Sequence, residues 1–187
     1  MTAARYASLP AMVTAPPADA LAFEEVFRGF RDEVYGVALR LTGDRDVADD
    51  VTSAVFLKAY RAFERYDPSR PLRAWLLTIA VREAISAGRA ASRDVARRRP
   101  AEDGLAVAAP EGEGPETLAV ASEERGRVRD AVAALPAIYR VPVVLRYFSD
   151  LRLEEIAAVT GQRTATIAVR LHRARRLLRV ALEGGTA

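Results

Sequence analysis

The chain has 187 residues, 28 basic and 25 acidic, for a formal net charge of +3. That length suits one ordinary domain or two very small ones. With no cysteine and a single histidine, His172, a disulfide framework, a thiolate metal site and a cysteine nucleophile are excluded, and a histidine-based metal or catalytic centre has little to build on. No cofactor, metal or catalytic residue is therefore expected, and the chain does not read as an enzyme. No apolar run approaches the roughly 20 residues that a bilayer span needs. The opening stretch, with one Arg and no continuous apolar segment, makes a poor signal peptide, so a cytoplasmic protein without membrane insertion is expected.

In chain order, residues 1–18 hold three prolines and read as a flexible arm. Asp19 is a candidate N-cap, after which Phe23, Val26, Phe27, Phe30, Val34, Val37, Ala38 and Leu41 recur at helical spacing as far as Gly43. A second helix starts near Asp46, with Val47, Val51, Ala54, Val55, Ala59 and Phe63 on one face. The run Tyr66-Asp67-Pro68-Ser69-Arg70-Pro71 breaks it, and Pro71 suits a first helical turn. A third helix runs from Leu72 through Trp75, Leu76, Ile79, Ala80 and Ile85 into an Arg-rich tail near Arg99. These three can bury one core, which makes 19–99 a first domain.

Residues 100–117 are Pro, Gly, Glu and Ala without apolar period, the composition of a flexible acidic linker. The second domain, 118–187, opens with a helix over Leu118–Leu135 stopped by Pro136. Another covers Ile138–Phe148, which Pro142 should kink or shorten unless it lies near the first turn. Two further helices are expected at Leu153–Thr160 and Thr164–Leu182. No alternating strand pattern and no fixed repeat is visible. The reading is an all-α chain of two small helical domains joined by a flexible linker.

Charge is unevenly spread: −4 over 19–67, +6 over 68–99, −5 over 100–127 and +5 over 163–187. Two basic blocks split by an acidic one suggest two contacts on a polyanion, although charge runs also serve as plain solvated faces. Only Lys58 among the basic residues is lysine, a bias that genome composition explains as easily as phosphate recognition.

The most specific signal is Leu153–His172. Counting from Leu153, the fifth residue is Ala157, the ninth Gly161 and the fifteenth Ile167. A helix-turn-helix needs a small residue where the helices cross, a glycine where the turn takes positive φ, and an apolar plug between the helices. Thr164 can cap the second helix, whose buried face reads Ile167, Leu171, Ala174, Leu178 and Ala181. The other face carries Arg163, Arg170, His172, Arg173 and Arg176, with no acid from Gln162 to Leu182. Such a helix fits the major groove; the alternative is an ordinary helical hairpin with a basic exterior. His172 suits a groove-facing polar residue, since nothing accompanies it as ligand or nucleophile.

These residues carry a resemblance. AVAALPAIYRVPVVLRYFSDLRLEEIAAVTGQRTATIAVRLHRARRLLRVAL, over 131–182, resembles region 4 of bacterial sigma-70-type factors of the extracytoplasmic-function group. FEEVFRGFRDEVYGVALRLTGD, then DVADDV and VFLKAY, then LRAWLLTIA, over 23–89, resemble region 2 of the same group. The resemblance implies an alternative sigma factor: region 2 a three-helix core that binds core RNA polymerase and the −10 element, region 4 a helix-turn-helix that reads the −35 element, with promoter melting assisted and an anti-sigma factor as a further partner.

Carried over by position, the polymerase contacts are Asp49, Asp50, Ser53, Ala54, Phe56 and Leu57. Asp46 and Asp49 equally stabilise a helix start. The family commonly has Gln and an acid where Ser53 and Ala54 stand, and phosphorylation of Thr52 or Ser53 would restore a negative charge. The −10 contacts are Arg70, Arg73, Arg82, Ser86 and Arg89, with Arg82 and Ser86 departing from the usual Asn and Asp. Trp75 has the look of a stacking platform, yet an aromatic at that spacing is more often core. The −35 contacts are Arg163, Thr164, Ala168, Val169, Arg170, His172, Arg173 and Arg176, where Ala168 and Val169 offer thymine methyls an apolar contact but no hydrogen bond.

Two rival readings use the same residues. A sigma-like decoy or regulator that binds a protein partner rather than promoter DNA is favoured by the six departures from the family pattern, at Ser53, Ala54, Arg82, Ser86, Ala168 and Val169. A stand-alone helix-turn-helix repressor accounts for 128–182 but leaves the first domain unexplained.

Overall fold

The computed structural model describes residues 18–67, 69–98 and 126–183. Of the expected arm at 1–18 only Ala18 is described, as the first residue of a helix, and the linker at 100–117 lies outside the described residues. All regular structure among the described residues is helical, as expected: α1 at Ala18–Thr42, α2 at Arg45–Ala62, α3 at Leu72–Arg98, α4 over 126–134, α5 at Ala137–Tyr147, α6 at Leu153–Thr160 and α7 at Thr164–Glu183, with one 3-10 turn at Phe63–Arg65.

Helices α1, α2 and α3 pack on one another. Their shared core is Val34, Val37, Ala38 and Leu41 against Ala48, Val51, Val55 and Ala59, closed by Leu76, Leu77, Ala80 and Val81. Each Leu, Ile or Val removed from water in this way contributes about 1.5–3 kcal/mol. Asp19 lies inside α1 rather than ahead of it. The joint between α1 and α2 is made locally. Gly43 takes φ +77°, and its N–H bonds the Leu39 carbonyl at 2.8 Å. Asp44 then caps α2, its Oδ1 accepting from the Val47 N–H at 3.0 Å.

The second group is α4 to α7. Val132 and Leu135 meet Val143, Val144 and Leu145 of α5, Leu151 of the following loop, and the buried faces of α6 and α7. Pro142 does not stop α5. Its missing N–H falls opposite the Ile138 carbonyl in the first turns, so only one early bond is lost. Asp150 has φ +51°, a conformation that Asp tolerates better than most residues. This bend lets the Leu151 N–H reach the Leu145 carbonyl at 3.0 Å and buries the Leu151 side chain. At the start of α6 the Glu155 carboxylate accepts the Arg152 N–H at 2.7 Å; Arg152 has no side-chain acceptor to return, so this is half of a capping box.

The helix-turn-helix geometry follows its sequence pattern. Ala157 and Ile167 are buried, Gly161 ends α6 at φ +67°, and the Gln162 N–H bonds the Ala157 carbonyl at 3.0 Å. Helix α7 begins at Thr164 itself, one position earlier than a cap there would place it, and the Arg163 carbonyl accepts from Ile167 N. Ala181 is exposed, contrary to the expected buried face, and Leu178 is only half-buried. The last turn of α7 is held through its backbone instead, with the Arg127 guanidinium of α4 donating to the Leu182 carbonyl at 3.0 Å.

A Cβ at Gly161 meets no atom within 4 Å, so the cost of a side chain there is purely the left-handed backbone. Gly161→Ala should lower stability by about 1–2 kcal/mol and Gly161→Asn by less, read as the shift in urea midpoint at constant slope.

Candidate nucleic-acid interface

Helix α7 turns its buried edge, Ile167, Leu171 and Ala174, towards α5 and α6. Arg163, Ala168, Val169, His172, Arg173 and Arg176 are consequently exposed together, while Thr164 and Arg170 are half-buried. Arg175 and Arg179 are exposed on the same helix, two cations that the pattern for a recognition helix passes over. Val169 keeps 51% of its surface, and with exposed Ile138 it borders a shallow groove beside Arg173. A basic surface interrupted by small apolar patches suits phosphates at its edges and base methyls at its centre.

On the other group, α2 exposes Asp49, Asp50, Ser53 and Leu57 on neighbouring turns, with Ala54 half-buried. Phe56 is not part of that surface. It is 5% exposed, its ring 4.8 Å from that of Phe27 and 6.4 Å from that of Phe23. The other large apolar residues exposed on α1 and α2 are Tyr60 and Phe27, which sequence spacing had placed with the core or left aside. Thr52 is buried and its hydroxyl donates to the Ala48 carbonyl at 2.7 Å, so of the two suggested phosphorylation positions only Ser53 is accessible.

The loop after α2 is tied to itself. The Tyr66 hydroxyl donates to the Arg70 carbonyl, and the Asp67 carboxylate accepts the Ser69 N–H at 3.0 Å. Hydrogen bonds from Ser69 hold the Asp67 carboxyl below the usual range, with help from the Arg70 charge. The Tyr66 ring lies between Phe63 and Trp75, 5.0 Å from the latter, and Trp75 packs against the core, in line with its reading as a structural aromatic. Along α3, Arg82, Ser86 and Arg89 are exposed on successive turns, and Arg70 is exposed at the loop.

Arg73 differs from its companions. It is half-buried and bidentate to Glu33, with Nη2–Oε1 at 2.7 Å and Nε at 3.0 Å from both oxygens. The same Nη2 donates to the carbonyl of Ser149, in the loop after α5. The hydrogen bonds to Glu33 push the Arg73 guanidinium further up, and Glu155 and Asp150 add to this. Arg140 makes the converse contact, donating through Nη1 to the Leu41 carbonyl at 2.8 Å while Nε and Nη2 hold the Leu135 carbonyl. The Arg40 guanidinium lies over the Phe148 ring, 4.4 Å from its centre, a contact worth about 0.5–2 kcal/mol depending on solvation. A cleft of about 1200 Å³ remains between the two groups, with Arg82, Ser86 and Arg89 on one wall and Arg140 and Arg170 on the other.

Residues 26–94 match Sigma-70 region 2 and residues 125–178 match Sigma-70 region 4, in that order and over about two thirds of the chain. Relatives include the ECF RNA polymerase sigma factor SigW of Bacillus subtilis, 28% identical over 84% of this chain and 87% of the relative, and SigK of Mycobacterium bovis, 29% identical over 88% of each. Among solved structures, the sigma factor RpoE of Bartonella quintana, crystallised with the anti-sigma factor NepR, is similar with a TM-score of 0.71 at 25% identity, covering 87% of this chain and 97% of that one. CnrH in complex with the cytosolic domain of CnrY is similar with a TM-score of 0.63, also at 25% identity, covering 88% and 90%. This chain belongs to the extracytoplasmic-function group of sigma-70 factors. It is an alternative sigma factor, a promoter-recognition subunit for transcription initiation.

In this sigma factor the region 2 match falls on α1 to α3 and the region 4 match on α4 to α7. No group of metal-ligating side chains occurs among the described residues, and no helix among them is long and apolar enough to cross a membrane. The different burial of adjacent α2 residues separates fold from surface. Phe56→Ala should cost about 3–5 kcal/mol of stability, whereas Leu57→Ala should stay within about 0.5 kcal/mol; urea unfolding followed by helical circular dichroism distinguishes them.

Proposed function

We propose that this sigma factor docks on core RNA polymerase through the exposed face of α2, with Asp49, Asp50, Ser53 and Leu57 as its centre and Tyr60 and Phe27 at its apolar edge. Domain boundaries at 19–99 and 118–187 go with this reading. Arg70, Arg82, Ser86 and Arg89 face the opened −10 strand, with Arg73 joining them once it leaves the Ser149 carbonyl. Cations along a groove are what a single strand's backbone requires. In the major groove of the −35 element, Arg173 takes a base edge, Arg163, Arg170 and Arg176 take phosphates, and Ala168 and Val169 meet thymine methyls. His172 and Thr164 fill the remaining polar positions of that face.

The observation that carries the reading is the exposed surface of α7, acid-free from Thr164 to Leu182 and presented by a glycine turn with positive φ. The chain carries out no reaction itself, since the polymerase supplies the chemistry, and it works in the cytoplasm where that enzyme is. The anti-sigma partners of the similar solved proteins support an anti-sigma factor for this chain as well. The six departures from the family pattern favour a second reading, a decoy that binds polymerase or another protein without promoter DNA.

Mixing the purified protein with core polymerase and mapping starts on genomic DNA separates these readings. Discrete starts that share one −35/−10 pair are expected; stable polymerase binding without starts supports the decoy, and no binding overturns the main reading and shifts the search to another protein partner. On a mapped promoter, Arg173→Ala should cost about 1–3 kcal/mol and relax specificity at one base, while Arg176→Ala should weaken all sequences alike and reduce the salt slope by about 1. Holoenzyme binding to promoter variants at several salt concentrations gives both quantities.

A further inference from the structure

We propose that the cleft between α3 and helices α5 to α7 is a binding site for a nucleoside polyphosphate. Its lining carries four guanidiniums, Arg82 and Arg89 from α3, Arg140 from α5 and Arg170 from α7. No Asp or Glu is among the described lining residues. The whole chain sets 25 acidic residues against 28 basic ones, so a concave surface with cations alone is a local excess. Walls of low dielectric concentrate the field of such a cluster inside the cleft. The ligand that this field selects carries several negative charges within a short span.

The donors suit phosphate oxygens. Among the described residues Arg82 and Arg170 form no ion pair, so no carboxylate has to be displaced from them. Arg140 places Nε and Nη2 on the Leu135 carbonyl and Nη1 on that of Leu41, and these three bonds leave two of a guanidinium's five N–H groups. The carbonyls also fix the plane of this guanidinium in advance, which lowers the ordering cost of a ligand contact. Guanidiniums meet phosphates through paired N–H bonds that are shorter and stronger than neutral ones.

The rest of the lining fits more than an inorganic anion. Val81 and Ile85 of α3, with Ile138, Val141 and Pro142 of α5, give the cleft apolar walls. Ile138 is 52% exposed, a surface that a flat, uncharged ring can cover. Gln162 lines the cleft as well, and no donor among the described residues reaches its buried Oε1. An unmet buried acceptor costs about 1–3 kcal/mol, and a nucleobase N–H relieves it. The volume of about 1200 Å³ exceeds the roughly 300–1,000 Å³ of ordinary ligand sites, so base, ribose and phosphates fit together. Arg82, Arg89 and Arg170 are also assigned to promoter DNA under Proposed function, but nucleotide binding by the free chain depends on the cleft alone.

Calorimetric titration of the full free chain with ATP and with GTP, at physiological ionic strength, tests the site. Inorganic tripolyphosphate and the two nucleosides serve as companion ligands. At least one nucleotide should bind with unit stoichiometry and about tenfold tighter than tripolyphosphate, and neither nucleoside should bind. Arg82→Gln with Arg170→Gln should weaken nucleotide binding by about tenfold or more. Arg175→Gln with Arg179→Gln removes the same charge outside the cleft and should change it by less than about twofold. Ile138→Ser should lower nucleotide affinity severalfold and leave tripolyphosphate binding unchanged. Helical circular dichroism confirms that each variant is folded; if the Arg82 and Arg170 double variant loses helicity, Arg82→Gln alone decides. Absence of binding overturns the site, and so do equal losses in the two arginine pairs, which reduce the effect to diffuse surface charge. Tripolyphosphate bound as tightly as the nucleotides overturns the nucleoside as ligand.

Discussion

Helix ends leave backbone carbonyls without a partner inside the helix, and in this protein arginine side chains answer several of them. Arg140 alone takes the Leu135 carbonyl through two nitrogens and the Leu41 carbonyl through a third. Arg146 takes the Leu151 carbonyl at 2.9 Å, and Arg73 takes that of Ser149. A guanidinium can do this because its five N–H donors project in a fixed plane and stay ionised even when desolvated. Burial lowers the Arg140 guanidinium from its usual value, yet a group that begins so far above neutrality keeps its proton. Lysine carries its three donors on one nitrogen and lacks the separate nitrogens with which Arg140 reaches two carbonyls. The Arg bias of the chain is therefore used in the fold as well as on the nucleic-acid face.

That use has a structural consequence. The loops pinned by these arginines, at 135–136 and 148–151, are the ones that set α4, α5 and α6 relative to one another. Leu151 is buried because the preceding bend, through Asp150, lets its N–H return to the Leu145 carbonyl. Once α5 and α6 are placed, Ala157 lets α7 cross closely, Gly161 makes the turn, and Ile167 fills the gap. The basic face of α7 points outward as the remainder of this packing, without any requirement for DNA. Its orientation is a property of the apo fold.

Much of this was legible in the residues and some was not, for identifiable reasons. Helical spacing marks the side that is buried, so α1 to α3 and the pair α6–α7 could be placed within a residue or two. Spacing does not say what covers a helix. Phe56 and Leu57 are adjacent, and only the presence of Phe23 and Phe27 across the groove makes the first core and the second surface. Ala181 continues the apolar period of α7 but is exposed. The Glu33–Arg73 pair joins residues 40 apart, and the Leu41–Arg140 bond joins residues 99 apart; neither leaves a local pattern. Glu33 and Phe148 consequently had no signal as interdomain residues, and Arg73 read only as one more cation near the −10 loop. Asp44 was readable in principle, as an Asp beside a glycine ahead of an apolar period, but Asp46 offered the same composition two residues later.

The departures from the family pattern gain meaning from where they lie. Ser53, Arg82, Ser86, Ala168 and Val169 are exposed, and Ala54 is half-buried. None of them belongs to the packed core. Substitution at such positions changes stability little, so the fold places almost no restraint on them and they are free to follow whatever they touch. If Ala168 and Val169 meet the −35 element as proposed, their lack of hydrogen-bonding groups removes discrimination that depends on base-edge donors and acceptors, and leaves discrimination by the thymine methyl. At Arg82 a charge replaces an amide, which adds attraction to any backbone phosphate without selecting a base. The two changes work in opposite directions on specificity, one trading polar readout for apolar readout and the other adding affinity that is blind to sequence. Under the proposed assignment of these residues to promoter DNA, selectivity is redistributed between the −35 and −10 contacts, while the arginine-capped scaffold beneath them carries none of the departures.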